Sequence, residues 1–245
     1  MELQRLYSLT RKAVDEFGLI DEGDRIAVGI SGGKDSLTLL YALAGLRRFY
    51  PKHFEIEAIT VGLGIDGMDF SMVESLCDKL EVNYHYVKTD IYEIVFDIRK
   101  ETNPCALCAK MRKGAFNKKA IMLGCNKVAY AHHKDDLIET LLLSLMYEGR
   151  IHTFAPKTYW DKTGLTLIRP LLYVNEAEIV GFKNKYDLPV VRNLCPADKE
   201  TKREDMKRLI ANLRKDNPDI KEALFGAVIR DVFPKSASKD NNTGT

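Results

Sequence analysis

The chain has 245 residues, 45% of them hydrophobic, enough for one sizeable core and a smaller appendage. No charge-free apolar run is long enough to span a bilayer, and the start, Met1-Glu-Leu-Gln-Arg, lacks the apolar stretch of a secretory signal, so a soluble cytoplasmic protein is expected. The net charge of +2 hides an asymmetry: residues 1–98 carry 10 Lys+Arg against 17 Asp+Glu, whereas residues 99–134 carry 9 against 1.

Residues 1–18 read as a helix ended by Gly18. The β-branched run 25–31 is a buried strand, and 35–49 an amphipathic helix. Further strands are predicted at 55–63, 82–88 and 127–131, with helices around 68–80, 109–123 and 135–148. Strands alternating with helices predict an α/β fold, a doubly wound parallel sheet covered on both faces. Ligands of such sheets sit beyond the carboxyl ends of the strands, where the strand order reverses. Residues 157–169 suggest a hairpin, followed by helices near 175–186 and 200–215. The expected organisation is an N-terminal helix (1–20), a main domain (21–195), a small C-terminal helical extension (196–233) and a disordered polar tail (234–245).

Between the first strand and its helix lies Gly29-Ile-Ser-Gly-Gly-Lys-Asp-Ser36. Glycines there let backbone N–H groups approach phosphate oxygens at a helix N-terminus. It is not a Walker A loop: the spacing is one residue short, and Asp35 stands where the Mg²⁺-binding Ser/Thr would be. A second loop, Ala131-His-His-Lys-Asp-Asp136, follows the 127–131 strand. Its acids would cap a helix in any case, but strands one and four are expected to be neighbours, so both loops would face one crevice.

Five cysteines without an export signal argue against a disulfide framework. Cys105 and Cys108 form a Cys-x-x-Cys on a proline-initiated turn, able to chelate a metal or to form a redox pair, and Cys195 is a third candidate. Three thiolates suit a [4Fe–4S] cluster with one open iron, and no second Cys-x-x-Cys exists to complete a zinc site. Cys77 and Cys125 read as small buried hydrophobes. From 102 to 134 no acid occurs, while Lys110, Arg112, Lys113, Lys118, Lys119, Lys127 and Lys134 do, which is either a solvated helix face or a footprint for nucleic acid.

The string Ser-Gly-Gly-Lys-Asp-Ser resembles the loop of the PP-loop ATP pyrophosphatases. With Cys-x-x-Cys, the distant Cys195-Pro196, the His-His-Lys-Asp-Asp segment and Ile168-Arg-Pro-Leu171, the chain resembles the tRNA 2-thiocytidine synthetase family over roughly residues 5–233. Ala131 stands where that family's loop has glycine.

The resemblance implies an adenine nucleotide α-hydrolase-like sheet, Mg²⁺ and ATP, a [4Fe–4S] cluster on Cys105, Cys108 and Cys195, and cytidine 32 in a tRNA anticodon loop as substrate. Ser31, Gly32, Gly33 and Ser36 would grip phosphate and Lys34 would neutralise developing charge. Asp35, Asp135 and Asp136 would serve the nucleotide and Mg²⁺, with His132 nearby. Arg112 would stabilise the adenylated intermediate or contact RNA phosphate, and Lys202, Arg203, Lys207 and Arg208 would join the lysines on the tRNA backbone. A flipped base would need a stacking partner, for which Trp160 competes with a role in packing the hairpin. A sulfur donor such as a cysteine desulfurase is implied, and the oligomeric state, a homodimer included, stays open. Related thiouridine synthetases carry zinc fingers, whereas this chain has no cysteine before Cys77 or after Cys195, which favours the thiocytidine branch. Rival readings are a uridine- or small-molecule-thiolating relative, a cluster-free persulfide carrier, and a non-catalytic RNA-binding metalloprotein.

Overall fold

The computed structural model describes residues 1–99, 104–195 and 202–233; the tail expected at 234–245 lies outside them. The sheet contains β1 (Asp24–Gly29), β2 (Phe54–Gly62), β3 (Asn83–Lys88), β4 (Lys127–Ala129), β5 (Lys157–Trp160) and β6 (Leu165–Ile168). Their spatial order is β3-β2-β1-β4-β6-β5, all neighbours parallel except the β5–β6 hairpin. The chain winds outward from β1 through β2 to β3, then returns to place β4 on the other side of β1. The order therefore reverses between β1 and β4, as expected, and the loops leaving these parallel strands emerge at the same edge.

Helices cover both faces. On one, α1 (Leu3–Glu16), α2 (Lys34–Arg47), α3 (Ser71–Lys79) and α6 (Glu176–Lys185) join one apolar cluster through Leu6, Leu40, Val73 and Phe182. On the other, α4 (Pro104–Met122) presents Phe116 and Ala120 to Ala27, Ile59 and Val128. β1 and β4 are buried along almost their whole length, which is why they read as continuous apolar runs rather than alternating ones.

By contacts the chain divides into two units, one comprising 1–133 with the described part of 156–199, the other 134–155 with the described part of 200–245. Thus residues 134–155 group with the C-terminal helices, whereas the sequence suggested a cut near 195. In this second unit α5 (Lys134–Leu143) packs against α7 (Lys202–Asp216) and α8 (Ile220–Ala227). The helix expected over 135–148 is α5 followed by a π-helical turn, Ser144–Glu148, stopped by left-handed Gly149. Among the described residues no helix is long and apolar enough to cross a membrane.

Candidate active site

The loop between β1 and α2 is shaped by its own hydroxyls. The Ser31 N–H donates to Ser36 Oγ at 3.2 Å, Ser36 Oγ–H donates to the Gly33 carbonyl at 2.9 Å, and the Gly33 N–H donates to Ser31 Oγ at 3.2 Å. Gly32 has φ +82°, and a Cβ there would lie 2.8 Å from Val191 Cβ, so both conformation and space demand glycine. The first-turn N–H groups of α2 have no partner within the helix, and its dipole favours an anion.

Lys34 Nζ lies 3.1 and 3.2 Å from the two Asp35 carboxylate oxygens and 3.2 Å from Glu176 Oε1. Burial works against its charge, yet Asp35 and Glu176 together hold the ammonium above the ordinary lysine range. Glu176, in the first turn of α6, carried no signal in the sequence beyond that of an N-terminal acid. The loop after β4 approaches the same place, with His133 Nε2 3.7 Å from Asp35 Oδ1. Its neighbour His132 accepts a hydrogen bond at Nδ1 from Nε of the buried Arg169, at 3.2 Å.

Two cavities open beside this edge. The first, about 220 Å³, is lined by Ser31 and Gly33, the end of β2 at Gly62, and Tyr86. The second, about 180 Å³, is lined by Cys105, Cys108 and Cys195. Leu63, Arg112 and Asn193 line both. The sequence placed the Cys-x-x-Cys on a turn before a helix; instead Pro104 opens α4, where its missing N–H costs nothing, and both cysteines lie within the helix. Positions 105, 108 and 112 fall on one stripe of that helix, so two thiols and a guanidinium share a direction. Asn193 Oδ1 accepts the Cys195 N–H at 3.1 Å, turning the chain to bring the third thiol in.

Burial pushes the Cys108 thiol above its usual range; Arg112 opposes that, while Cys195 and Cys105 add to it. The three sulfurs are therefore electrostatic neighbours. Among the described residues no group of three His, Cys, Asp or Glu side chains is placed to hold a metal ion. Cys77 and Cys125 are buried in the two apolar clusters, as expected.

A parallel sheet with a Ser-Gly-Gly-Lys-Asp-Ser loop at its switch point matches the PP-loop domain family over residues 4–213. The tRNA-cytidine(32) 2-sulfurtransferase of Geobacter sulfurreducens is 40% identical over 228 residues, covering 92% of this chain and 89% of that one. The chain belongs to this family of PP-loop tRNA sulfurtransferases. The enzyme of the same name from Citrifermentans bemidjiense is also 40% identical, over 94% of this chain and 91% of its own. In fold the sulfurtransferase resembles the U34-tRNA thiolase NcsA from Methanococcus maripaludis, solved with its [4Fe–4S] cluster, at 22% identity and a TM-score of 0.72 over 91% of this chain and 77% of that one.

Several charges expected on the nucleic acid are internal to the sulfurtransferase. Lys127 is buried, bonded to the Leu19 carbonyl at 2.9 Å and paired with Asp21 at 2.7 Å and Asp24 at 2.6 Å. Lys134 is buried against Glu222. Arg203 pairs with Asp136 at 2.9 Å, and Lys221 with Asp135, both within the second unit. Lys207 and Arg208, by contrast, stay at the surface in solvent-accessible pairs with Glu204 and Asp205, each at 3.5 Å, and the exposed Lys202 lies over the Tyr147 ring. Lys110, Lys113 and Lys118 on α4 are exposed. Trp160 packs edge-on to Tyr130, with Lys113 Nζ 3.7 Å above its ring, which is hairpin packing against α4.

Proposed function

We propose that this enzyme converts cytidine 32 of tRNA to 2-thiocytidine in one composite site, and the shared wall of Leu63, Arg112 and Asn193 between the phosphate-loop cavity and the three-thiol cavity carries that reading. The C2 oxygen of cytosine is a poor leaving group. Its attack on the α-phosphorus of ATP forms an O–P bond and expels pyrophosphate. The first-turn N–H groups of α2 hold the departing anion, and Lys34 offsets its charge. Asp35 would hold Mg²⁺, which would supply positive charge to the phosphates. Sulfur then adds to C2, and the C2–O bond breaks with AMP as leaving group.

The donor set fits an iron–sulfur group: three thiols on one cavity, with the two remaining cysteines buried in apolar packing elsewhere. A [4Fe–4S] cluster held by Cys105, Cys108 and Cys195 would supply an open iron that binds hydrosulfide and keeps it deprotonated. Arg112, on the wall common to both cavities, would stabilise the charge that develops as the adenylated base is attacked. The exposed lysines of α4 would hold the RNA backbone, and a loop nucleotide would be turned out into the crevice.

The test moves the guanidinium without removing it. Met111→Arg with Arg112→Ala keeps the net charge but turns the cation about 100° around α4. If Arg112 acts at the reacting centre, 2-thiocytidine formed in tRNA, measured by nucleoside mass spectrometry, falls on the order of 10²-fold while tRNA affinity holds. Retained thiolation would reduce Arg112 to a backbone contact, and an unmodified enzyme that releases pyrophosphate but leaves cytidine unthiolated would remove the reading altogether.

A further inference from the structure

We propose that Phe96 decides between sulfur and water in the second half of the reaction: its ring closes the apolar side of the three-thiol cavity and keeps water from the activated base. The proposal rests on the reading above, in which adenylation leaves C2 of the pyrimidine open to a nucleophile. Hydrosulfide adding to C2 expels AMP and gives 2-thiocytidine. Water adding to the same carbon also expels AMP, loses a proton to solvent and returns cytidine, so that ATP is split to AMP and pyrophosphate without a thiolated product. Because water vastly outnumbers hydrosulfide, the site itself must favour sulfur, and shutting water out is a direct means.

Cys105 is exposed, whereas Cys108 and Cys195 are partly covered, so the cavity is open beside the first thiol and sheltered at the other two. Leu63, Pro104 and Phe96 give it an apolar wall, and Phe96 is the one aromatic ring among the described residues that line it. Apolar side chains around a metal site control the access of solvent. Phe96 stands in a π-helical turn, Glu93–Ile98, where the Arg99 N–H reaches back five residues to the Ile94 carbonyl at 3.0 Å. Such widened turns are rare and recur at functional sites. Val95, fully buried, roots this one in the protein, while its acids Glu93 and Asp97 are exposed. Tyr92 stacks on Phe96 with ring centroids 4.8 Å apart and planes inclined by 28°, which limits the rotamers open to the ring. The segment is also tied to the wall that both cavities share. The Tyr92 N–H donates to the Leu63 carbonyl at 2.8 Å, and the Thr89 hydroxyl donates to the Gly62 carbonyl at 2.7 Å. A Cβ on Gly64 would lie 2.8 Å from the Thr89 carbonyl oxygen, so the two backbones meet closely there.

The test compares Phe96→Ala with Phe96→Leu, which keeps apolar bulk. In the cluster-free protein, iodoacetamide labelling followed by peptide mass spectrometry reads access to Cys108, while the buried Cys77 and Cys125 report that each variant is folded. Labelling of Cys108 should quicken roughly tenfold in Phe96→Ala and change little in Phe96→Leu. In the reconstituted enzyme turning over ATP and tRNA, pyrophosphate released per 2-thiocytidine formed should rise by a similar factor in Phe96→Ala and hold in Phe96→Leu. A merely structural role would slow both products together and leave their ratio unmoved. In heavy-oxygen water the excess turnover should place the label in the C2 carbonyl of cytidine. Label in AMP instead, an unchanged ratio, or Cys108 labelling unmoved by Phe96→Ala overturns the proposal and leaves the sulfurtransferase reading intact. Failure of the unaltered enzyme to thiolate tRNA would strike that reading, and the labelling of Cys108 would still decide whether Phe96 covers the thiol.

Discussion

Replacing Gly32 by alanine tests whether the phosphate loop is built as described. The left-handed φ of +82° costs an alanine roughly 1–2 kcal/mol. The new methyl would also stand 2.8 Å from Val191 Cβ and 3.0 Å from Phe70 Cε1, side chains that help close the first cavity, and overpacking of this kind costs about 1–3 kcal/mol. Together the penalty is about 2–5 kcal/mol. Gly33 provides the control: its φ is −78°, and an added Cβ would meet only Ser31 Oγ, at 3.3 Å. Urea unfolding should show a lower midpoint at unchanged slope for Gly32→Ala and little change for Gly33→Ala. If the loop relieves the strain by moving, the penalty passes to the nucleotide, and the KM for ATP in pyrophosphate release rises tenfold or more for Gly32→Ala alone. A Gly32→Ala enzyme indistinguishable from Gly33→Ala in both stability and ATP dependence would refute the geometry.

Glu176→Gln removes one of the two acids on Lys34 and one negative charge near the phosphate site, so ATP should bind up to about fivefold more tightly by calorimetry, the range of a partly exposed ion pair. Lys118→Ala should leave stability untouched and reduce the salt slope of tRNA binding by about one counterion, whereas Lys127→Met should strand the buried Asp24 and lower stability by about 3–5 kcal/mol in denaturant unfolding. Glu57, buried at 1% exposure, keeps its carboxyl below the usual range: burial raises it, but hydrogen bonds from Arg25, His85 and Asn83 prevail. Its stabilisation is therefore present above the unfolded carboxylate pKa and vanishes as pH falls through the lower folded value, so Glu57→Gln should destabilise at neutral pH and converge with the parent in acid unfolding titrations.

The sheet and its switch point were legible because buried parallel strands are short apolar runs and the phosphate loop is punctuated by glycines, both local properties of the chain. Charge was read less well, since counting lysines does not reveal burial. Lys127 belongs to a basic stretch in sequence but meets Asp21 and Asp24 of another segment in space, and Asp135 and Asp136 find their cations on α7 and α8. Arg169 and Glu176 went without a role for the same reason, because each acts on a residue distant in the chain. One signal was available for Arg169: a charge closing the apolar run Leu165–Ile168, where only a bonded cation can stay buried. Cys105 and Cys108 were legible as a spaced pair and Cys195 only as a third candidate far along the chain, and it is the Asn193 turn that brings it into the cavity.

The surroundings of Cys108 also bear on two chemistries that the sequence left open. A persulfide carrier or a redox pair works through a thiolate, which needs surroundings that depress its pKa. Here the first effect on Cys108 is burial, which disfavours the anion, and each neighbouring sulfur, once ionised, disfavours it further. Arg112 is a single positive charge set against three potential negative ones, and the net result for Cys108 is a thiol held above its ordinary range. Three thiolates become comfortable together only when several positive charges arrive among them, which is what a multi-iron group brings and a disulfide or persulfide does not. Burial thus disfavours the bare thiolate at Cys108, and this, together with three thiols lining one cavity, supports the cluster proposed above over a persulfide carried on that cysteine.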